Sequence, residues 1–211
     1  MSTTTMTVSR VVAPRSPARL ALLRFLHRPI AVAGLVVIVV FVLVAAFAPL
    51  ISPYDPIATS WTAIRKAPSA LHWMGTDENG RDVAARVMFG ARASLLAGVV
   101  SVLIAGGIGV PAGLLAGFAS GIADMLLSRV VDAMLACPFL ILAIALAAFL
   151  GPDLTNAMIA IGVSTAPRFM RVARAATLDA ASNEYVEAAR ATGNPAWRIA
   201  VRHVLPNIVP P

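Results

Sequence analysis

Near the C-terminal end of this chain stand Glu187-Ala188-Ala189, then Gly193, then Leu205-Pro206. A carboxylate beside two very small side chains makes a surface for close contact, not a nucleophile with its base. A second cluster, Gly75-Thr76-Asp77-Glu78-Asn79-Gly80-Arg81-Asp82, imitates part of a calcium loop through Asp77, Asn79 and Gly80. The EF-hand spacing fails, because Met88 stands where the bidentate glutamate belongs, so no metal is expected. His27, His72 and His203 lie outside the apolar runs, which leaves no metal pair or nucleophile–base constellation for an intramembrane hydrolase. There is no Gly-x-x-x-x-Gly-Lys-Ser/Thr loop, and Lys66 is the one lysine. The single cysteine, Cys137, gives neither a disulfide framework nor a ligand cluster. None of these clusters supplies a hydrolytic constellation or a phosphate-binding loop.

The elements that position them are set by composition. Hydrophobic residues make up 59% and charged residues 13% of the 211-residue chain, against about 25% charged in soluble domains. Residues 30–51, 93–122 and 133–151 are uncharged runs. At about 1.5 Å per residue each is long enough, or nearly so, for the roughly 30 Å hydrocarbon core. Residues 154–166 form a shorter run ending in Pro167-Arg168, read as a fourth span completed by helix through Ala176 with arginines snorkelling. Arg10, Arg15, Arg19, Arg24 and Arg28 precede the first span. Arg129 lies between the second and third, and Arg168, Arg171, Arg174, Arg190, Arg198 and Arg202 follow the fourth. The positive-inside rule puts all of these, and the N-terminus, in the cytoplasm. The segment 52–92, with five basic and four acidic residues, is then external.

The net charge of +7 is a topology signal, since no nucleic-acid-reading motif accompanies it. The acid-free, arginine-rich start also resembles an organellar transit peptide, but a full-length span follows at once without a cleavage-like site. Residues 1–28 read as a cytoplasmic tail, 29–52 as the first transmembrane helix, 53–92 as an external loop with an amphipathic segment, and 93–211 as a partial core domain. In the external loop Thr76 or Asp77 is expected to cap a helix, Arg81 and Asp82 to form a local pair or cap, and Val83, Val87 and residues 89–91 to face lipid. Gly109, Gly113 and Gly117 recur every four residues and suit close helix packing in lipid. Arg129 and Asp132 are spaced to pair.

Residues 179–191 read as one helix, with Tyr185, Ala188, Ala189 and Thr192 on one face and Glu187 and Arg190 spaced to pair on another. Gly193 suits the helix end, Asn194 an N-cap and Pro195 the first position of a second helix. That helix carries Trp197, Ala200, Val201 and Val204 on one face, and Leu205-Pro206 is expected to stop it. From pattern alone, a surface αα-hairpin without a partner fits as well.

The spacing of Glu187, Ala188, Ala189, Gly193, Leu205 and Pro206 resembles the EAA loop of ABC-transporter permeases, here within about residues 177–206. The external segment Gly75, Thr76, Asp77, Gly80, Arg81, Asp82, Arg86, Gly90, Arg92 is similar to a signature of the dipeptide, oligopeptide and nickel branch, with Ala85 where serine is usual. The proline-rich exit from the first span and the Arg202-His203-Val204-Leu205-Pro206-Asn207 variant are similar to that branch too.

The resemblance covers about residues 20–211. It implies an all-α membrane protein, a polytopic helical bundle of the type I importer kind, with about four transmembrane helices present of an expected six. It also implies a multi-pass protein of a bacterial or archaeal inner membrane, a second homologous permease, two cytoplasmic ATPase subunits, an external solute-binding protein and no cofactor. The EAA loop would carry ATPase closure into alternating access for peptides or related small solutes. Family members continue with further spans beyond Leu-Pro, so a truncated or non-transporting form is an expectation as well. A membrane anchor or signalling subunit is the competing class.

Overall fold

The computed structural model describes residues 24–119 and 121–208. Among them the regular structure is helical, apart from one isolated antiparallel bridge between Thr76 and Asp82. The helices are α1 (Pro29–Ile51), α2 (Val83–Ala119), α3 (Gly121–Ala136), α4 (Phe139–Leu150), α5 (Leu154–Ala181), α6 (Glu184–Ala191), α7 (Ala196–Ile199) and α8 (Leu205–Ile208). A π turn (Ala200–Val204) joins the last two. The chain divides into two compact units at Arg92/Ala93, inside α2.

In the first unit, α1 opens with Pro29, which loses nothing where an N–H has no intrahelical partner. Val36 to Val42 are all about half exposed, as a lipid-facing helix requires. Residues 52–82 then fold with one 3₁₀ turn (Trp61–Ala63) ahead of α2. The amphipathic segment and the second span are one continuous helix of 37 residues. Val87 is exposed, but Ala91 is buried, so the expected lipid-facing set holds only in part.

In the second unit, α2 and α5 run parallel, backbone against backbone. A β-carbon on Gly109 would come within 2.5 Å of the Ala166 carbonyl, and one on Gly113 within 2.5 Å of the Met170 carbonyl. One on Gly117 would come within 2.8 Å of Thr177. Gly162 returns the fit against Ile104, and Ser101 Oγ donates to the Met158 carbonyl at 3.0 Å. The four-residue glycine repeat is thus a helix-packing stripe. Ala116, Val131 and Met170 form the small core where α2, α3 and α5 meet.

The expected third span is broken. Pro138 has no N–H and disfavours helical geometry at Cys137, so α3 and α4 meet at 96°. Cys137 therefore sits exposed at a break, not inside a span. α4 runs back along α5, with Phe139 under Arg168 and the Leu150 carbonyl accepting from Asn156 Nδ2 at 2.8 Å. Among the described residues two helices, α1 and α2, are long and apolar enough to cross a membrane; the bent pair makes a third if it counts as one span. α5 is a single helix of 28 residues through Pro167, and its second half carries Arg168, Arg171 and Arg174.

Candidate functional site: the C-terminal elbow and the turn before the long helix

The elbow is built from α5, α6 and the α7–π–α8 segment. The helix expected over 179–191 is interrupted at Ser182-Asn183, where Asn183 Nδ2 bonds the Asp179 and Ala180 carbonyls and closes α5. α6 then starts with Glu184 and Glu187 in its first turn and Arg190 in its last, each favourable to the helix dipole. The buried face differs from the expected one. Val186 and Ala189 point inward with Ala180, Ile199 and Val204, and Leu114, Phe118 and Ile208 pack against them. Tyr185, Glu187, Ala188 and Thr192 are exposed. An eight-residue helix has too few apolar positions to fix its phase from pattern, and Val186 is the apolar residue that sets the buried face.

Arg190 does not pair with Glu187. Its guanidinium lies 5.4 Å over the Phe118 ring. Gly193 has φ +77°, as the turn reading requires. Asn194 does not cap forward. Its side-chain amide bonds the Ala189 carbonyl and Thr192 Oγ1, so it finishes α6, and Pro195 is the N-cap of α7. Ile199, Ala200 and Val204 are buried, whereas Trp197 and Val201 are exposed. Leu205 is half-buried and Pro206 exposed, and the helix does not stop there. The Leu205 N–H reaches the Ala200 carbonyl, so the π register accommodates a proline that has no N–H to donate.

The turn over residues 52–82 has a different construction. Asp77 Oδ1 accepts from the Asn79 and Arg81 amides at 2.8 and 2.9 Å, and its other oxygen pairs with Arg86. The Arg81 amide above all, with those of Asn79 and the Arg86 guanidinium, holds the Asp77 carboxyl below the usual carboxylate range. Thr76 accepts from the Lys66 amide at 2.8 Å and donates to the Ala63 carbonyl. The cap of α2 is neither Thr76 nor Asp77 but Asp82, whose Oδ1 accepts from the Ala85 amide at 2.7 Å. Its Oδ2 lies 2.9 Å from His72 Nδ1, and the His72 ring packs 4.9 Å from Tyr54. Arg81 is therefore not the partner of Asp82. Gly75 and Gly80 have φ +72° and +70°, while Gly90 and Arg92 stand exposed on α2. Ser60, Ala63, Lys66 and His72 complete the turn from distant sequence, and nothing local singled them out.

Along α3 the acids meet α5 instead of their neighbours. Asp124 holds Arg174 through two bonds of 2.5 and 2.6 Å, and Asp132 holds Arg171 at 2.8 Å, not Arg129.

Residues 109–211 match the family described as binding-protein-dependent transport system inner membrane component. Residues 16–68 match the N-terminal TM domain of oligopeptide transport permease C. The chain is 37% identical over 206 residues to the glutathione transport system permease protein of Pectobacterium atrosepticum, covering 97% of this chain and 68% of that one. The chain belongs to the family of binding-protein-dependent inner-membrane transport permeases. It is also 44% identical over 183 residues to a protein of Escherichia coli named Probable D,D-dipeptide transport system permease protein, covering 87% of this chain. To the dipeptide transport system permease protein of Alkalihalophilus pseudofirmus it is 41% identical over 196 residues, or 93% of this chain. The chain spans 61% and 64% of the length of these two relatives. This family is one of multi-pass inner-membrane permeases, not of enzymes.

Proposed function

We propose that the protein is the membrane-spanning subunit of an ATP-driven importer for di- and oligopeptides or related small solutes. In this reading a second homologous permease completes the path, two cytoplasmic ATPases dock from inside, and an external binding protein delivers solute. The tail 1–28 and the elbow 177–206 lie in the cytoplasm and residues 53–92 outside, in agreement with the arginine distribution. The peptide class is supported by the names of the relatives.

The observation that carries the reading is the elbow itself. Glu187 and Ala188 stand exposed on a short helix whose opposite face is locked by Val186 and Ala189 onto a buried apolar cluster. A push on such a helix moves α5 and α2 instead of dissipating in a loose loop. An anchor without transport has no use for that rigidity.

The test is co-purification of the ATPase subunits of a dipeptide importer from membranes that also hold this chain and a homologous partner permease. Glu187→Lys reverses the exposed charge. Gly193→Val imposes about 1–3 kcal/mol of strain at a left-handed residue. Each is expected to reduce ATPase recovery at least tenfold and abolish dipeptide uptake, with membrane insertion unchanged. Wild-type recovery by both variants refutes the coupling role.

A further inference from the structure

α5 presents Arg168, Arg171 and Arg174 in succession toward α3 and α4. Two of the three are neutralised: Arg174 by Asp124 and Arg171 by Asp132. Arg168 meets no acid among the described residues, and its guanidinium lies 5.2 Å over the Phe139 ring. It stands at the break between α3 and α4, beside a cavity of about 320 Å³ lined also by Cys137, Pro138 and Ser164.

Two further features of that cavity favour negative charge. α4 begins there, and its N-cap, Pro138, offers no side chain to its first amides. Those amides have no intrahelical partner and carry the positive end of the helix dipole. Ser164 is 4% exposed, and its Oγ makes no hydrogen bond. A helical serine or threonine ordinarily bonds back to the preceding turn, as Thr165 does to Ile161 and Thr177 to Ala173, each at 2.7 Å. Ser164 does not, although an unmatched buried hydroxyl is costly.

We infer that the α3–α4 break is a binding site for one oxyanion, held by the Arg168 guanidinium, the Ser164 hydroxyl and the first-turn amides of α4. A guanidinium and a hydroxyl suit both a carboxylate and a phosphate, so a solute carboxylate and a lipid-headgroup phosphate share this chemistry. The inference does not depend on the docking role of the elbow.

Cys137 lines the cavity, is exposed and is the one cysteine of the chain, so its alkylation reports occupancy. The full chain in neutral detergent is treated with a maleimide in the presence of alanyl-alanine, its methyl ester, phosphatidylglycerol or diacylglycerol. An oxyanion in the site is expected to slow labelling at least threefold. Protection by alanyl-alanine but not by its ester assigns a solute carboxylate; protection by phosphatidylglycerol but not by diacylglycerol assigns a headgroup phosphate. Either protection is expected to fall at least fivefold in apparent affinity in Arg168→Gln and in the conservative Ser164→Ala, and to persist in Arg171→Gln. No protection by either anion, equal protection by the neutral probes, or full protection in Arg168→Gln and Ser164→Ala overturns the site.

Discussion

The elbow and the turn over residues 52–82 both reverse the chain at a left-handed glycine, yet they are held by opposite means. In the elbow the largest fully buried side chains among the described residues, Ile199, Val186 and Val204, meet under α6. In the turn the buried residues are small or polar: Ala63, Ala84, Ala85, Thr76 and Asp82. The contrast extends to the glycines. A β-carbon on Gly193 meets nothing within 4 Å, whereas one on Gly80 collides with the Ser60 backbone. An apolar cluster tolerates backbone adjustment but not lost volume; a hydrogen-bonded turn tolerates exposed changes but not backbone displacement.

Four substitutions break or sharpen this contrast. The largest effect is expected at Gly80→Ala, where the clash and the φ of +70° act together. A loss on the order of 4 kcal/mol or more is expected, read as protease cleavage within residues 52–82, with cleavage of the elbow unchanged. Gly193→Ala, with strain alone, is expected to cost about 1–2 kcal/mol. If the two are equal, the turn is not closed by the Gly80–Ser60 approach.

Next comes Ile199→Ala, which empties the centre of the elbow. The expected cost is about 2–5 kcal/mol, seen as faster hydrogen exchange in α6 and the π turn and unchanged exchange in residues 52–82. Unchanged exchange in α6 would mean that the cluster does not hold it.

The smallest effect is the pH dependence of the turn. The folded-state pKa of Asp77 lies below its unfolded value. Its contribution is therefore present above the ordinary carboxylate pKa of about 3.9 and is lost as pH falls from there through the depressed value. Exchange in residues 75–82 is expected to rise only below about pH 4, and Asp77→Asn to remove that dependence while raising exchange at neutral pH. A transition above pH 5 would assign the titration elsewhere.

Much of this protein was legible along the chain. The 22-residue uncharged run fixed α1, because span length follows from bilayer thickness. The glycine repeat marked a close helix contact, because small residues let backbones approach; that the partner is α5 was decided by packing. Gly193 marked the elbow turn through its φ. Partner choice was not legible. Arg129 and Arg190 each had a well-spaced acid nearby, yet Asp132 pairs with Arg171 across helices and Arg190 stacks on Phe118. His72 reached Asp82, and Ser164 was left unmatched beside Arg168 at a proline break. Local spacing fixes what a residue is able to reach on its own helix. Which of those contacts forms depends on the competing partner that packing brings closer, and that is decided only when the helices meet.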